Sequence, residues 1–368
     1  MGRNPRAVQE VFIQIEHAAR NLGLQINEGK TKYMVASSAA TPATSTESIE
    51  KLIHKKKKIL GYEYPFEIIA DLDKKAISTD KKNTFVSNIH VGSVYVLNNT
   101  IVDIVLSSDS FDIVTKYSFN GRGAELSELL FFHDKLYTFD DKTGIIYDVE
   151  KDRLLPWVIL SDGAGNDTNG FKCEWATVKD DHIIVGSHGV EFLNPKDDKR
   201  KLNKFYVKKV SKVGEVIHEN WFEIYDKIRQ AVGMPYPGFI IHEAVIWSQL
   251  NQKWIFLPRK CSAESMSSDT FDHIGCNLII LANEDFTEIE SHPLSDPPLV
   301  DHRGFSSFQF VPNSNEKIIV GLTTIETDEE TATFIIGLDI QGKVLFPESK
   351  ILNDKFEGLG FLKHLSNE

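Results

Sequence analysis

The hydrophobic and polar positions change their period twice along the chain. Val8, Val11, Phe12, Ile15, Ala18, Ala19 and Leu22 recur at helical spacing. They predict an amphipathic helix that stops at Gly23 and is followed by a short strand. Residues 35–50, VASSAATPATSTESIE, are small and polar with one proline, which is linker composition. Four lysines at 55–58 follow and read as a solvated segment. From Tyr62 onward, short β-rich runs alternate with turn residues nearly to the C-terminus. The organisation expected is a helix–strand extension over 1–34, a linker over 35–58 and a main domain over 59–368.

Within the main domain one phrase recurs: a polar residue opens an apolar strand, a polar turn follows, and a second strand begins. LSELLFFHDKLYTF (126–139), CEWATVKDDHIIVGS (173–187), HEAVIWSQLNQKWIFLP (242–258) and FSSFQFVPNSNEKIIVGL (305–322) are four copies. Their turns, at 133–134, 179–181, 249–252 and 312–316, have hairpin chemistry. The opening residues Ser127, Glu174, Glu243 and Ser306 are spaced 47, 69 and 63 residues apart. Spacing of this size, with several short strands per unit, predicts a β-propeller. FEGLGFL (356–362) looks like the first strand of a further unit, and FEIIADLD (66–73) like a second strand lacking its first. Joining them closes the ring and removes the open sheet edges that a broken ring would expose. The fold expected is all-β: a five-bladed propeller whose C-terminal strand completes the N-terminal blade, plus the small helical extension.

Composition narrows the function. The 368 residues carry a formal charge of −12, which argues against a general nucleic-acid binder. No run of eighteen apolar residues predicts a membrane-spanning helix, and no continuous apolar stretch at the N-terminus reads as a signal peptide. Cys173, Cys261 and Cys276 form no Cys-x-x-Cys pair, and the odd count gives no disulfide framework, so buried or idle thiols are expected. Asn98-Asn99-Thr100 and Asn166-Asp167-Thr168 are glycosylation acceptors. GLQINEGKTKYM (23–34) contains Gly-Lys-Thr behind a glycine, but five residues separate Gly23 from Gly29 where a phosphate-binding loop needs four.

The repeat also builds a candidate site. Ser127, Glu174, Glu243, Ser306 and Glu357 are equivalent first-strand positions, and the first strands of a propeller line its central channel. Three carboxylates converging there repel one another unless a cation sits between them. Three carboxylates and two hydroxyls, or their backbone carbonyls, form an all-oxygen set that suits a hard ion such as Ca²⁺. Zinc is disfavoured because the sequence shows no His/Cys cluster, and neither His218-Glu219 nor His242-Glu243 has a second histidine four residues on. Asp71 and Asp73, Arg122 and Glu125, Lys172, and Arg259 with Lys260 flank these strands. Together they predict a basic and acidic mouth, which is what phosphoryl hydrolysis needs. The glycine loop 161–170 adjoins Lys172.

IIADLD, NGRGAELSEL, LYTFDDKTGIIYDV, PWVILSDGAG, GFKCEW, HENW, PGFIIHEA, WIFLPRK, RGFSSFQFVPN and FEGLGF together resemble the soluble calcium-activated nucleotidase (apyrase) family over roughly residues 60–362. The resemblance implies a five-bladed propeller and Ca²⁺-dependent hydrolysis of nucleoside di- and triphosphates to monophosphates and phosphate. It implies channel ligands at Ser127, Glu174, Glu243, Ser306 and Glu357, and active-site residues at Asp73, Arg122, Glu125, Lys172 and Arg259. It further implies a nucleotide as partner, no nucleic acid, no membrane span, at most a weak homodimer, and a secreted or ER/Golgi-lumen location. The chain departs from the family pattern at Gly189-Val190-Glu191-Phe192, at Lys260 and at Ala164, positions that bear on base preference and rate. A non-enzymatic propeller scaffold is the alternative from another class; it has no need of three converging glutamates and a basic rim. FIQIEHAARNLGLQINEGKTKYM resembles a segment of non-LTR retrotransposon reverse transcriptases that follows the catalytic aspartates. No acidic pair precedes it here, so it reads as a fusion or gene-model artefact that displaced a signal peptide.

Overall fold

The computed structural model describes residues 61–362, apart from 152, 194–199, 267–270, 296, 301 and 328. The extension and linker expected over 1–58 lie outside the described residues. What is described falls into two compact units: 61–63 with Tyr95–Ile104, and the remainder from residue 64 onward. In the first, Asn98 and Asn99 both have positive φ, the turn conformation that a two-residue hairpin requires.

The described chain is mostly β, built as several antiparallel sheets. β1 (Tyr62–Ala70), β2 (Phe85–Leu97) and β3 (Thr100–Thr115) pair in chain order. β4 (Leu126–Phe132), β5 (Lys135–Asp140), β6 (Ile145–Glu150) and β7 (Arg153–Ile159) form an antiparallel meander, joined to β3 by one parallel pairing of Val114 with Arg153. β8 (Trp175–Lys179) and β9 (His182–Gly186) come next, then the two-residue strands β10 (Phe192–Leu193) and β11 (Arg200–Lys201). β12 (Tyr206–Ser211) and β13 (Val216–Asn220) complete the second four-stranded sheet with β8 and β9.

The single α-helix among the described residues, α1 (Phe222–Ala231), departs from the all-strand pattern. The Asn220 side chain accepts the Phe222 N–H at its start. Tyr225, Ile228 and Arg229 face inward at helical spacing, and Gly233 with positive φ follows its end.

β14 (Phe239–Ile241) pairs with β17 (Lys260–Ser262). The third four-stranded sheet runs β15 (Val245–Ser248), β16 (Lys253–Phe256), β18 (Leu278–Asn283) and β19 (Ile289–Pro293). The fourth runs β20 (Gly304–Phe310), β21 (Ile319–Glu326), β22 (Thr331–Leu338) and β23 (Val344–Leu352). β24 (Phe356–Phe361) crosses back to pair antiparallel with β1, Phe66 opposite Phe361 and Ile68 opposite Leu359. The four hairpin turns read from sequence are all present. Each carries left-handed residues: His133 and Asp134, Asp180 and Asp181, Gln252, and Asn313, Asn315 and Glu316.

The apolar clusters lie between successive sheets. Leu130, Phe132, Tyr137 and Phe139 of the β4–β7 sheet pack on Ala176, Ile183, Val185 and Val210 of the next. Trp175, Val207 and Tyr225 pack on Trp247, Trp254, Phe256 and Phe286. Ile246, Ile255 and Leu281 pack on Phe305, Phe308, Ile319 and Ile336. Each fully buried large side chain contributes roughly 1.5–3 kcal/mol, so sheet-to-sheet packing holds the first strands in place. β8 lies beside β4 and β15, β20 beside β15 and β24, and β24 beside β4. Gly358 permits that last approach: a Cβ there would stand 2.6 Å from the Glu128 carbonyl carbon.

The cysteines correct the sequence reading. Cys173 is a buried free thiol, but Cys261 and Cys276 form a disulfide. The Cys261 N–H donates to the Gly275 carbonyl at 3.1 Å, laying the two segments side by side. The odd count hid one pair and one spare.

Candidate active site

The five positions singled out by the repeat all fall at or just before the first strands. Ser127 is the second residue of β4, Glu174 directly precedes β8, and Glu243 lies two residues before β15. Ser306 is the third residue of β20 and Glu357 the second of β24. Two of them, Glu174 and Glu243, line a cavity of about 830 Å³ together with Asp73, Arg122, Glu125, Lys172 and Arg259. Glu174 and Glu357 are each 3% exposed.

The acidic convergence has electrostatic consequences. Burial pushes the Glu357 carboxyl well above the usual range; Lys355 opposes the shift, and Asp71, Glu243 and Glu174 add to it. Burial would also raise Glu243, but Arg259 and His188 outweigh it and hold that carboxyl at about 2. Each glutamate meets its own cation. Lys172 Nζ lies 2.6 Å from Glu174 Oε1 and also pairs with Asp141. Arg259 Nε lies 3.2 Å from Glu243 Oε2, and Lys355 Nζ 3.0 Å from Glu357 Oε1. Even so, Glu174 Oε1, Glu243 Oε2 and Glu357 Oε1 are buried without a directed hydrogen bond. Buried carboxylate oxygens held only by ion pairs are what a hard cation site requires.

The serines play a different part from the glutamates. Ser127 Oγ donates to the Cys173 carbonyl at 2.6 Å, and Ser306 Oγ to the Phe356 carbonyl at 2.9 Å. Each hydroxyl clips its strand to the residue just before one of these glutamates, Glu174 or Glu357. Their protons are thereby used, which leaves lone pairs or backbone carbonyls to face a cation.

At the rim, Arg122 donates from Nε to Glu125 Oε1 and from Nη2 to Glu125 Oε2, both at 2.6 Å, and from Nη2 to Asp73 Oδ1 at 2.7 Å. The loop that presents Arg122 has positive φ at Asn120 and Ala124, and so does Asp73, the partner of Arg122. Such residues cost about 1–3 kcal/mol each and persist where the surroundings fix them. The Ala124 N–H is held by Asp140 Oδ2 at 2.9 Å. Burial raises the Glu125 carboxyl to about 7, with Asp141 adding and Arg122 opposing. Arg259 is anchored on the other side, donating from Nη1 to the Thr324 carbonyl at 2.6 Å. Gly304 lets that strand approach, since a Cβ there would stand 1.6 Å from the Arg259 carbonyl oxygen.

Seven of the ten predicted site residues, Asp73, Arg122, Glu125, Lys172, Glu174, Glu243 and Arg259, line that cavity; Glu357 interacts electrostatically with Glu174 and Glu243, and Ser127 and Ser306 are buried outside the lining. Sequence reasoning missed three more. Lys355 binds Asp71 Oδ2 at 2.9 Å as well as Glu357. It stands two residues before Glu357 as Lys172 stands two before Glu174, so the register carried the signal. Asp141, paired with Lys172, follows the end of β5 with no distinctive spacing. His188 lies 3.0 Å through Nε2 from Glu174 Oε1 and 3.7 Å from Glu243 Oε1. It brings an imidazole where the sequence showed no His/Cys cluster. His242 is fully buried, stacked on Tyr225, and burial lowers it to about 3, so it is packing. His218 Nδ1 lies 2.9 Å from Lys208 Nζ, away from the glutamates.

Comparison with known proteins gives the family of the chain. A family model described as apyrase matches residues 71–362. An apyrase of Phlebotomus duboscqi is 43% identical over 301 residues, spanning 82% of this chain and 89% of that protein. An apyrase of Cimex lectularius is 41% identical over 305 residues, 82% of this chain and 84% of its own length. Soluble calcium-activated nucleotidase 1 of Mus musculus is 38% identical over 303 residues, 82% and 74% respectively.

Proposed function

The chain belongs to the apyrase family, and on that premise we propose that its main domain is a calcium-dependent hydrolase that cleaves nucleoside di- and triphosphates to monophosphates and phosphate. One observation carries the assignment of residues: Glu174 and Glu243 line one cavity with Arg122, Lys172, Arg259 and Lys355, and the buried Glu357 interacts electrostatically with both glutamates. A scaffold that bound partners through its loops would have no use for such a costly concentration of charge.

The pairing of β24 with β1, and the sequence of neighbouring first strands from β4 round to β24, support a five-bladed propeller closed by its C-terminal strand. In this reading the whole activity resides in 59–368. Ser127, Glu174, Glu243, Ser306 and Glu357 would hold calcium, which when bound supplies positive charge to the phosphate oxygens. Arg122, Lys172 and Arg259 bind phosphate oxygens and favour the charge that develops as the bridging bond breaks. A water molecule attacks the terminal phosphorus, and Asp73 and Glu125 are the two carboxylates placed to orient it and take its proton. The disulfide and the exposed acceptor Asn166 support a secreted or lumenal location. A glycosidase-sensitive mass on protein from its natural source checks that location.

The residue roles are separated by two variants. Glu243→Gln keeps shape and removes a channel charge, so it requires more calcium and regains much of its rate when calcium is raised. Arg259→Ala leaves the calcium requirement nearly unchanged and lowers kcat/KM by on the order of a hundredfold or more. Calcium titrations under saturating nucleotide decide the matter. Rescue of Arg259→Ala by calcium, with none for Glu243→Gln, would overturn the assignment.

A further inference from the structure

Calcium takes oxygen ligands, yet the cavity presents an imidazole among its carboxylates. His188 follows β9 and reaches between the starts of two sheets. Its Nε2 stands 3.0 Å from Glu174 Oε1 and 3.7 Å from Glu243 Oε1, and one ligand atom from each of the three residues lies within 4.8 Å of the others. Metal–ligand bonds of about 2.0–2.2 Å set neighbouring ligand atoms roughly 3.0–3.6 Å apart, close to these separations. Glu174 is 97% shielded from solvent, and its Oε1, the oxygen facing His188, is held by the Lys172 ammonium at 2.6 Å and by no further hydrogen bond.

We propose that Glu174, His188 and Glu243 form a site for a borderline transition-metal dication, zinc in the first place, and that this ion and calcium exclude one another. Imidazole nitrogen suits zinc, cobalt and nickel and adds little for calcium. His188 is therefore the residue that separates the two ions, while Glu174 and Glu243 are shared. Lys172, displaced from Glu174, keeps Asp141 as its partner. A zinc ion there withdraws two carboxylates from the calcium set, so zinc inhibits turnover and calcium relieves the inhibition. The exclusion rests on the calcium assignment above; the zinc site itself does not.

The experiment uses the full chain, stripped with a chelator. Co²⁺ is titrated with visible absorption as the readout, and Zn²⁺ by calorimetry, each with and without Ca²⁺. Wild-type protein is expected to show ligand-field bands of nitrogen-ligated cobalt that fade as calcium is added. His188→Leu is expected to weaken cobalt and zinc binding by about a hundredfold or more, since loss of even an indirect metal partner costs about 10–100-fold, while calcium binding survives. If His188→Leu does not fold, His188→Gln makes the same comparison without the imidazole. Unchanged cobalt and zinc affinity in these variants overturns the zinc site. Cobalt bands that calcium leaves untouched overturn the exclusion. Failure of the stripped wild type to bind calcium sinks the calcium reading instead, with the cobalt comparison still standing.

Discussion

Lys355→Met removes the cation on which two buried carboxylates depend. Lys355 Nζ stands 2.9 Å from Asp71 Oδ2, 3.0 Å from Glu357 Oε1 and 3.5 Å from Glu326 Oε2. Breaking a buried pair by deleting one partner costs about 3–5 kcal/mol. Burial already raises Asp71 to about 6 and Glu357 well above the ordinary range, so both can take up a proton when the lysine is lost. That relief puts the cost near the low end, at about 3 kcal/mol. An unfolding entropy of about 2.1 cal/mol/K per residue over roughly 300 residues gives ~0.6 kcal/mol/K, so Tm should fall by about 5 °C. Thermal denaturation with a chelator present measures this. Calcium should then raise the Tm of the variant by more than that of the wild type, because no ammonium stands 3.0 Å from the Glu357 oxygen to oppose the ion. An unchanged Tm in chelator would refute the compensating role of Lys355. An equal calcium increment in both proteins would refute the placement of calcium beside Glu357.

Replacing Cys261 and Cys276 together by Ser opens a loop of sequence separation 15 and should cost about 3 kcal/mol in urea denaturation; no loss would show the loop to be held by its hydrogen bonds alone. Lys208 is buried, and burial lowers its pKa from 10.5 to about 8. The unfolded chain binds more protons between those values, so the penalty is complete below about pH 8 and relieved as pH rises toward 10.5. Wild type should gain stability relative to Lys208→Met between pH 7.5 and 10 (values set by that window), and a constant difference between the two would show that Lys208 does not titrate there. A chain starting at Ile59 should melt cooperatively and keep its calcium-dependent turnover; loss of either would show that 1–58 supports the main domain.

The first strands were legible in the sequence because each opens with a polar residue on a largely apolar run, and two of those residues, Glu174 and Glu243, line the cavity. Ser127, Glu174, Glu243, Ser306 and Glu357 came out of spacing alone. The partners of these residues were harder to read. Lys355 shares the register of Lys172 but sits in a short C-terminal phrase with no second strand to mark it. His188 enters from a turn after β9, where no period constrains a side chain, and only the folded chain brings it to Glu174 and Glu243. α1 escaped notice because Tyr225, Ile228 and Arg229 form a stripe of a single turn, too brief to stand out among strands. The disulfide joins β17 to a segment fifteen residues on, a pairing that parity arguments over three cysteines cannot find.

The position of β24 has a consequence for how the protein is made. Its strand partner β1 is the first described strand and β24 the last, and both Lys355 and Glu357 travel with it. Until residues 355–361 emerge, β1 lacks this partner, and Asp71 lacks the lysine that compensates it. Products of termination before residue 355 lack both Lys355 and Glu357. Such products keep an open strand edge that invites aggregation or degradation. β24 thus joins a sheet whose other members are already made, and the edge of β1 stays open until it does.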